Sequence, residues 1–244
     1  VDVAPLAMLL LIAATLYAAV GHGGASAYLA VMALAGIPPA VMKPSALALN
    51  LVVAAIALFR FYRAGSFRWT LFWPLVFLSI PCAYLGGRWQ LPATLYKPVL
   101  GVMLLYAGAQ IAWQAKSVEQ RPLRDASRPG LLGFGAMLGG LSGLTGVGGG
   151  IFLSPLLYWL RWAAPRTIAA TSAAFIWMNS AAGLLGVYHI GQLALPAGWP
   201  LWAVCVALGG WLGAGLGSCR LAVPQLQWAL ALVLVIAGGK LLLS

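Results

Sequence analysis

The sequence predicts an all-α polytopic membrane protein, and three observations predict it. Of 244 residues, 63% are hydrophobic and 7% charged, with a mean hydropathy of +0.96. A soluble domain is roughly 45–50% apolar and about 25% charged. Apolar runs then follow one another along the whole chain; one crossing needs about 20 such residues, so this length holds about 8–10 membrane segments. Finally, Asp2, Glu119 and Asp125, the only acids, lie in the amino terminus or the central loop, and no apolar run holds a carboxylate. A soluble enzyme, a disordered tail and a fibre are excluded. The longest polar stretch, Gln114 to Arg128, is too short for a soluble ATPase or catalytic domain.

Helices are expected throughout, because backbone groups in lipid must bond within their own segment. Residues 3–20 form the first; it lacks a basic start and a small-residue cleavage site, so it reads as a retained helix and not a signal peptide. A glycine cluster separates it from residues 24–42, which close at Lys43. The run 44–59 opens at Pro44-Ser45 and closes at Arg60. Residues 69–87 carry Trp69 and Trp73 and end at Arg88, and 97–113 begin at Lys97. After a basic linker come 131–145, a second glycine cluster, 150–162, then 167–186 beyond Arg166. The last two are 199–217, with Trp199 and Trp202, and 226–243. These tryptophans are expected in the interfacial belt. Cys82, Cys205 and Cys219 are odd in number, without a CxxC pair, and read as small core residues.

An internal repeat is visible. Gly21-His22-Gly23-Gly24-Ala25 matches Gly146-Val147-Gly148-Gly149-Gly150, Pro44-Ser45 matches Thr171-Ser172, and Asn50 and Asn179 follow a little further on. Tyr62-Arg63-Ala64-Gly65 then matches Tyr188-His189-Ile190-Gly191. The expected organisation is a first transmembrane repeat over 1–115, a basic linker over 116–130 and a second repeat over 131–244. Five segments per half make the halves inverted if all cross. With the amino terminus outside, ten Lys and Arg fall on the cytoplasmic side (Arg60, Arg63, Arg68, Lys116, Arg121, Arg124, Arg128, Arg161, Arg166, Arg220) against Lys43, Arg88, Lys97 and Lys240 outside. The positive-inside rule prefers this to an eight-crossing alternative. Ten full crossings and V-shaped hairpins at the glycine clusters score alike. The formal charge of +11 thus reflects loops in a bilayer, and nucleic acid is not expected as a partner.

Short, glycine-interrupted segments at matching places of two repeats point to a substrate site. Each glycine cluster lets a helix break and restart, leaving free N–H groups and a partial positive charge that suit an anion. Candidate substrate-binding residues are therefore Gly21, His22, Gly23, Gly24, Lys43, Ser45, Asn50, Gly146, Val147, Gly148, Gly149, Gly150, Thr171, Ser172 and Asn179. Ser45, Thr171 and Ser172 could equally be N-caps, and Lys43 a snorkelling lysine. His22 is the one side chain in an apolar run whose type suits titration near neutral pH, and it is the candidate for proton coupling; a neutral histidine bonded to a backbone carbonyl is the alternative. Single glycines such as Gly86, Gly87, Gly213 and Gly217 read as close helix packing. No paired carboxylate, HExxH, P-loop or Ser/His/Asp set is present; no enzyme activity, cofactor or metal is expected.

The second-half stretch from Gly143 to Ser172, with GVGGG, Pro155 and AATS, resembles the sulfite exporter TauE/SafE family, and the likeness covers nearly the whole chain. The first half carries GHGG, with His22 in place of a small aliphatic residue and Pro44-Ser45 in place of Thr-Ser. The resemblance implies an inner-membrane secondary transporter exporting small sulfur-containing anions such as sulfite or organosulfonates (sulfoacetate and related C2/C3 sulfonates) by alternating access. An anion channel, or a carrier of another oxyanion or carboxylate, is the alternative. A small anion and the bilayer are the expected partners, and a homo-oligomer is open.

Overall fold

A computed structural model describes residues 3–19, 23–114, 122–218 and 224–243, and these are helical almost throughout. The ten helices are α1 (Val3–Ala19), α2 (Ala25–Leu34), α3 (Pro39–Arg63), α4 (Trp69–Arg88), α5 (Ala93–Gln114), α6 (Arg128–Thr145), α7 (Gly150–Leu160), α8 (Pro165–His189), α9 (Trp199–Ser218) and α10 (Pro224–Leu243). Among the described residues, α3, α4, α8 and the Ala93–Ala112 part of α5 are long and apolar enough to cross a membrane. At 1.5 Å per residue, α2 and α7 reach only about half of a 30 Å hydrocarbon layer.

The molecule is turned inside out relative to a soluble protein. Phe77, Leu85, Val102 and Trp159 are exposed, whereas Ser45, Asn50, Ser79, Ser142, Thr171, Asn179 and Ser180 are buried. A hydrocarbon solvent accounts for both: apolar side chains face lipid, and polar ones turn inward to find partners. Trp69 and Trp73 are half exposed as expected of a belt, but Trp202 is buried among α1 and α9 residues, so that expectation is corrected.

Glycines set the closest crossings. A methyl on Gly135, Gly139 or Gly143 of α6 would overlap the carbonyls of Leu75, Ser79 and Ala83 on α4. On α9, Gly209 and Gly213 lie as tightly against the Leu11 and Thr15 carbonyls of α1. In both pairs the residue numbers rise together, so the helices run parallel. Conversely, Gly101 meets Gly238 and Gly108 meets Ala231, so α5 and α10 run antiparallel; Leu47 against Gly183 and Asn50 against Ser180 make α3 and α8 antiparallel too. Gly86 and Gly87 approach α6 and α8 backbone closely, as the packing reading requires.

Several boundaries differ from the sequence expectation: α3 runs beyond 44–59 at both ends, α5 begins four residues before Lys97, and the largest difference is at the second segment. The segment placed at 24–42 ends at Leu34, and α3 begins at Pro39. Gly36, at φ +73°, closes α2, with Ile37 N–H donating to Met32 O at 3.0 Å. Pro38 and Pro39 then start α3. Lys43 had seemed a natural boundary because a charge inside a span is costly. It instead lies in the second turn of α3, buried, with its charge met by carbonyls. Ser45 and Thr171 are consequently helix-interior residues and not N-caps.

Candidate functional site

Both glycine clusters sit where a short helix starts inside the bundle. α6 ends on Gly146 at φ +84°; Gly148 and Gly149 follow at +83° and +74°, and α7 begins at Gly150. Three residues in a row-and-gap pattern with left-handed backbone need glycine, since a Cβ there is strained. α7 then returns to the end where α6 began: Arg124 N–H donates to Arg161 O at 2.8 Å, and the Trp162 ring lies against Gly130. The pair α6–α7 is therefore a hairpin and not two crossings. In the first half, α2 finishes beside the end of α10, where Lys240 Nζ donates to Leu34 O at 3.1 Å.

The two breaks meet at one side chain of α3. A methyl placed on Gly23 would come within 2.9 Å of both Asn50 Oδ1 and Ile176 Cγ2. One placed on Gly148 would overlap Asn50 Nδ2 and come to 3.1 Å from Ile176 Cγ2. Asn50 and Ile176 each lie eleven residues beyond the proline that opens their 25-residue helix, so they occupy equivalent positions in α3 and α8. Asn179 is the counterpart of Val53 in that register, not of Asn50 as the sequence match had it.

The surroundings hold buried polar atoms without partners. Among the described residues these include Tyr28 Oη, Ser45 Oγ, Asn50 Oδ1, Ser142 Oγ and Thr171 Oγ1. Asn50 Nδ2 makes one long bond, 3.4 Å, to Ser180 Oγ. Leaving such a group unmet costs about 1–3 kcal/mol, so a cluster of them is informative. Neither α2 nor α7 has a side-chain cap on its first turn, and the N-caps are Gly24 and Gly149.

Other candidates are engaged elsewhere. Asn179 accepts from Ser79 Oγ and donates to Phe175 O at 2.8 Å, joining α4 to α8. Ser172 Oγ pairs with Ser154 Oγ at 2.8 Å. Val147 is buried, its N–H 3.4 Å from Thr145 Oγ1. Gly21 and His22 lie outside the described residues. Lys43 donates to the carbonyls of Gly86, Gly87 and Trp89 at 3.1, 3.0 and 3.0 Å, so its ammonium closes the end of α4. Gly146 packs on the Lys43 backbone, 3.1 Å from its carbonyl to a would-be Cβ. We expect Lys43→Met to lower stability by about 2–4 kcal/mol, since bonds to a charged donor carry roughly 1.5–3 kcal/mol each before relaxation. Thermal melting in detergent checks this; an unchanged melting temperature would show that the three bonds contribute nothing.

Sequence reasoning missed Tyr28, Ser142 and Ile176. Tyr28 and Ser142 each lie within a turn or two of a glycine cluster, which was an available signal; Ile176 carried none. The halves also differ in packing. α2 lies along α10, whereas α7 barely touches α5, and an open apolar cleft lined by Tyr106, Gln110, Leu138, Leu141, Phe152 and Trp159 separates α5 from the α6–α7 hairpin.

Comparison with known proteins follows from this geometry. A family model described as "Sulfite exporter TauE/SafE" matches residues 6–241. The chain is 40% identical over 240 residues to "Probable membrane transporter protein y4hK" of Sinorhizobium fredii (strain NBRC 101917 / NGR234), covering 97% of each chain. No solved structure matches.

Proposed function

The chain belongs to the sulfite exporter TauE/SafE family of membrane transporters, and on that premise we propose that it exports small sulfur-containing anions, sulfite or short organosulfonates, across the bacterial inner membrane by alternating access. The observation that carries this reading is the meeting of two helix breaks at the half-partnered Asn50 amide, with the unpartnered Tyr28 hydroxyl against Gly24 and Ser142 against Gly149. Partial positive charge and neutral donors without a full cation suit an anion that must also leave. In this reading Gly23, Gly24 and Gly148 to Gly150 line the site; Ser45, Asn50 and Thr171 donate to it. His22 stays the candidate for proton coupling.

The antiparallel relation of α3 to α8 and of α5 to α10 supports an inverted repeat. It places Arg60, Arg63, Arg68, Arg124, Arg128, Arg161 and Arg166 at one face and Arg88, Lys97 and Lys240 at the other. The arginine-rich face is then cytoplasmic. On this reading the α1–α2 hairpin descends from outside and the α6–α7 hairpin from the cytoplasm. Cysteines replacing Ala40 and Ala194 should react with an impermeant maleimide from outside, and those replacing Ala64 and Ala164 only after permeabilisation. Ala40 and Ala164 reacting from one side would defeat the inversion. The unequal packing of α7 on α5 and of α2 on α10 supports two exchangeable states that differ in these contacts.

Flux of radiolabelled sulfite and sulfoacetate into proteoliposomes tests the function. Saturable flux accelerated by anion on the trans side is the expected result. Non-saturating flux without trans acceleration would instead establish a channel, and no flux of either anion would remove the substrate assignment.

A further inference from the structure

The two helix starts, equal in the repeat, are unequal in their surroundings. At the start of α2, the Tyr28 ring leans back over the first turn, as helix side chains do. A Cβ on Gly24 would overlap the ring and its hydroxyl, so glycine is what lets the phenol lie there. Tyr28 is fully buried and its hydroxyl has no partner, whereas the neighbouring Tyr17 and Ser26 hydroxyls bond each other at 2.6 Å. A donor placed at a positive helix end, dry and unmet, is half of a hydrogen bond.

At the start of α7 the surroundings are mostly hydrocarbon, with Ser142, whose hydroxyl has no partner, 3.3 Å from a would-be Cβ on Gly149. A methyl on Gly150 would overlap the Ile176 side chain, and one on Gly149 would come within 2.9 Å of the Phe175 ring. The Ser154 and Ser172 hydroxyls satisfy each other. Across the centre, Asn50 on α3 faces an isoleucine at the equivalent position of α8. At these equivalent positions one half presents an amide and the other carbon.

We propose that the Tyr28 hydroxyl donates directly to an oxygen of the anionic head group at the start of α2, and that Ile176, which lies against both helix breaks, contacts the carbon part of an organic anion. This rests on the anion-transport reading above and adds an orientation and two binding residues to it. A symmetric inorganic oxyanion would use the first contact and not the second. Ile176 is then the residue that favours a carbon-bearing sulfonate over sulfite.

The test is saturable flux of sulfite and of ethanesulfonate in proteoliposomes holding the wild type, Tyr28→Phe, Ile176→Ala and the milder Ile176→Val. Tyr28→Phe keeps the ring and removes one hydroxyl. It should raise KM for both anions about tenfold or more, with a melting temperature equal to or above the wild type's. A purely structural hydroxyl would give the opposite pair, a lower melting temperature and an unchanged KM, and would overturn the donor role. The Ile176 variants should raise KM for ethanesulfonate and leave that for sulfite unchanged, with alanine the larger effect; an unaltered ratio in both variants would overturn the orientation. If the wild type carries neither anion, the transport reading itself fails, a result distinct from either variant outcome.

Discussion

Asn50→Leu is expected to weaken anion transport by about 10- to 150-fold while the protein folds normally. The size follows from removing a neutral donor to a charged ligand, about 1.5–3 kcal/mol. The folded state has little to lose: Asn50 Nδ2 makes one 3.4 Å bond and its Oδ1 makes none. Leucine has the same branching at Cγ and is the larger side chain, so no cavity forms. The informative comparison is Asn179→Leu. That amide holds Ser79 of α4 and the Phe175 carbonyl, so its removal leaves a buried hydroxyl unmet and costs about 1–3 kcal/mol. For a chain of this length the melting temperature should fall by about 3–10 °C. Flux per folded molecule and thermal melting, read on both variants, separate the roles. If Asn179→Leu abolishes flux at normal stability and Asn50→Leu does not, the site has been centred on the wrong amide.

Gly148→Ala should abolish transport and destabilise the protein by about 2–5 kcal/mol. Two costs combine. The residue sits at φ +83°, where a Cβ costs roughly 1–2 kcal/mol. The added methyl also overlaps the Asn50 amide, and relieving such an overlap in a packed interior costs about 1–3 kcal/mol. Gly36→Ala isolates the first cost: its φ is +73° and nothing lies within 4 Å of its would-be Cβ. That variant should melt lower by the backbone cost alone and transport normally per folded molecule. Equal flux from both variants would show that the close approach of Gly148 to Asn50 has no part in function.

Much of the architecture was legible in one dimension because lipid is a severe solvent. Backbone bonding within segments leaves helices as the only reading of long apolar runs without carboxylates. Glycine clusters at matching places mark breaks, since three left-handed residues at Gly146, Gly148 and Gly149 have no economical alternative residue. The arginines beside particular runs carried the sidedness. Single glycines as packing positions were likewise readable, and Gly87 and Gly213 do sit on neighbouring backbone.

What the one-dimensional pattern misplaced has a common cause. Lys43 looked like a loop residue because an unpaired ammonium is costly in a span; only the end of α4, brought alongside, supplies the carbonyls that make it a buried helix residue. Asn179 looked like the twin of Asn50 because composition does not show register; the helices as built make Ile176 the twin and turn Asn179 toward Ser79. Nothing in the sequence around Tyr28 marks its hydroxyl as unmet; the bundle buries it without a partner. The sequence by itself determined the solvent, the helices and the break between α6 and α7, since each follows from the local cost of a backbone or a charge in hydrocarbon. Which polar groups find partners and which are left to meet an anion was decided only by the tertiary structure, because satisfaction of a buried group depends on what another, distant segment brings within 3 Å of it.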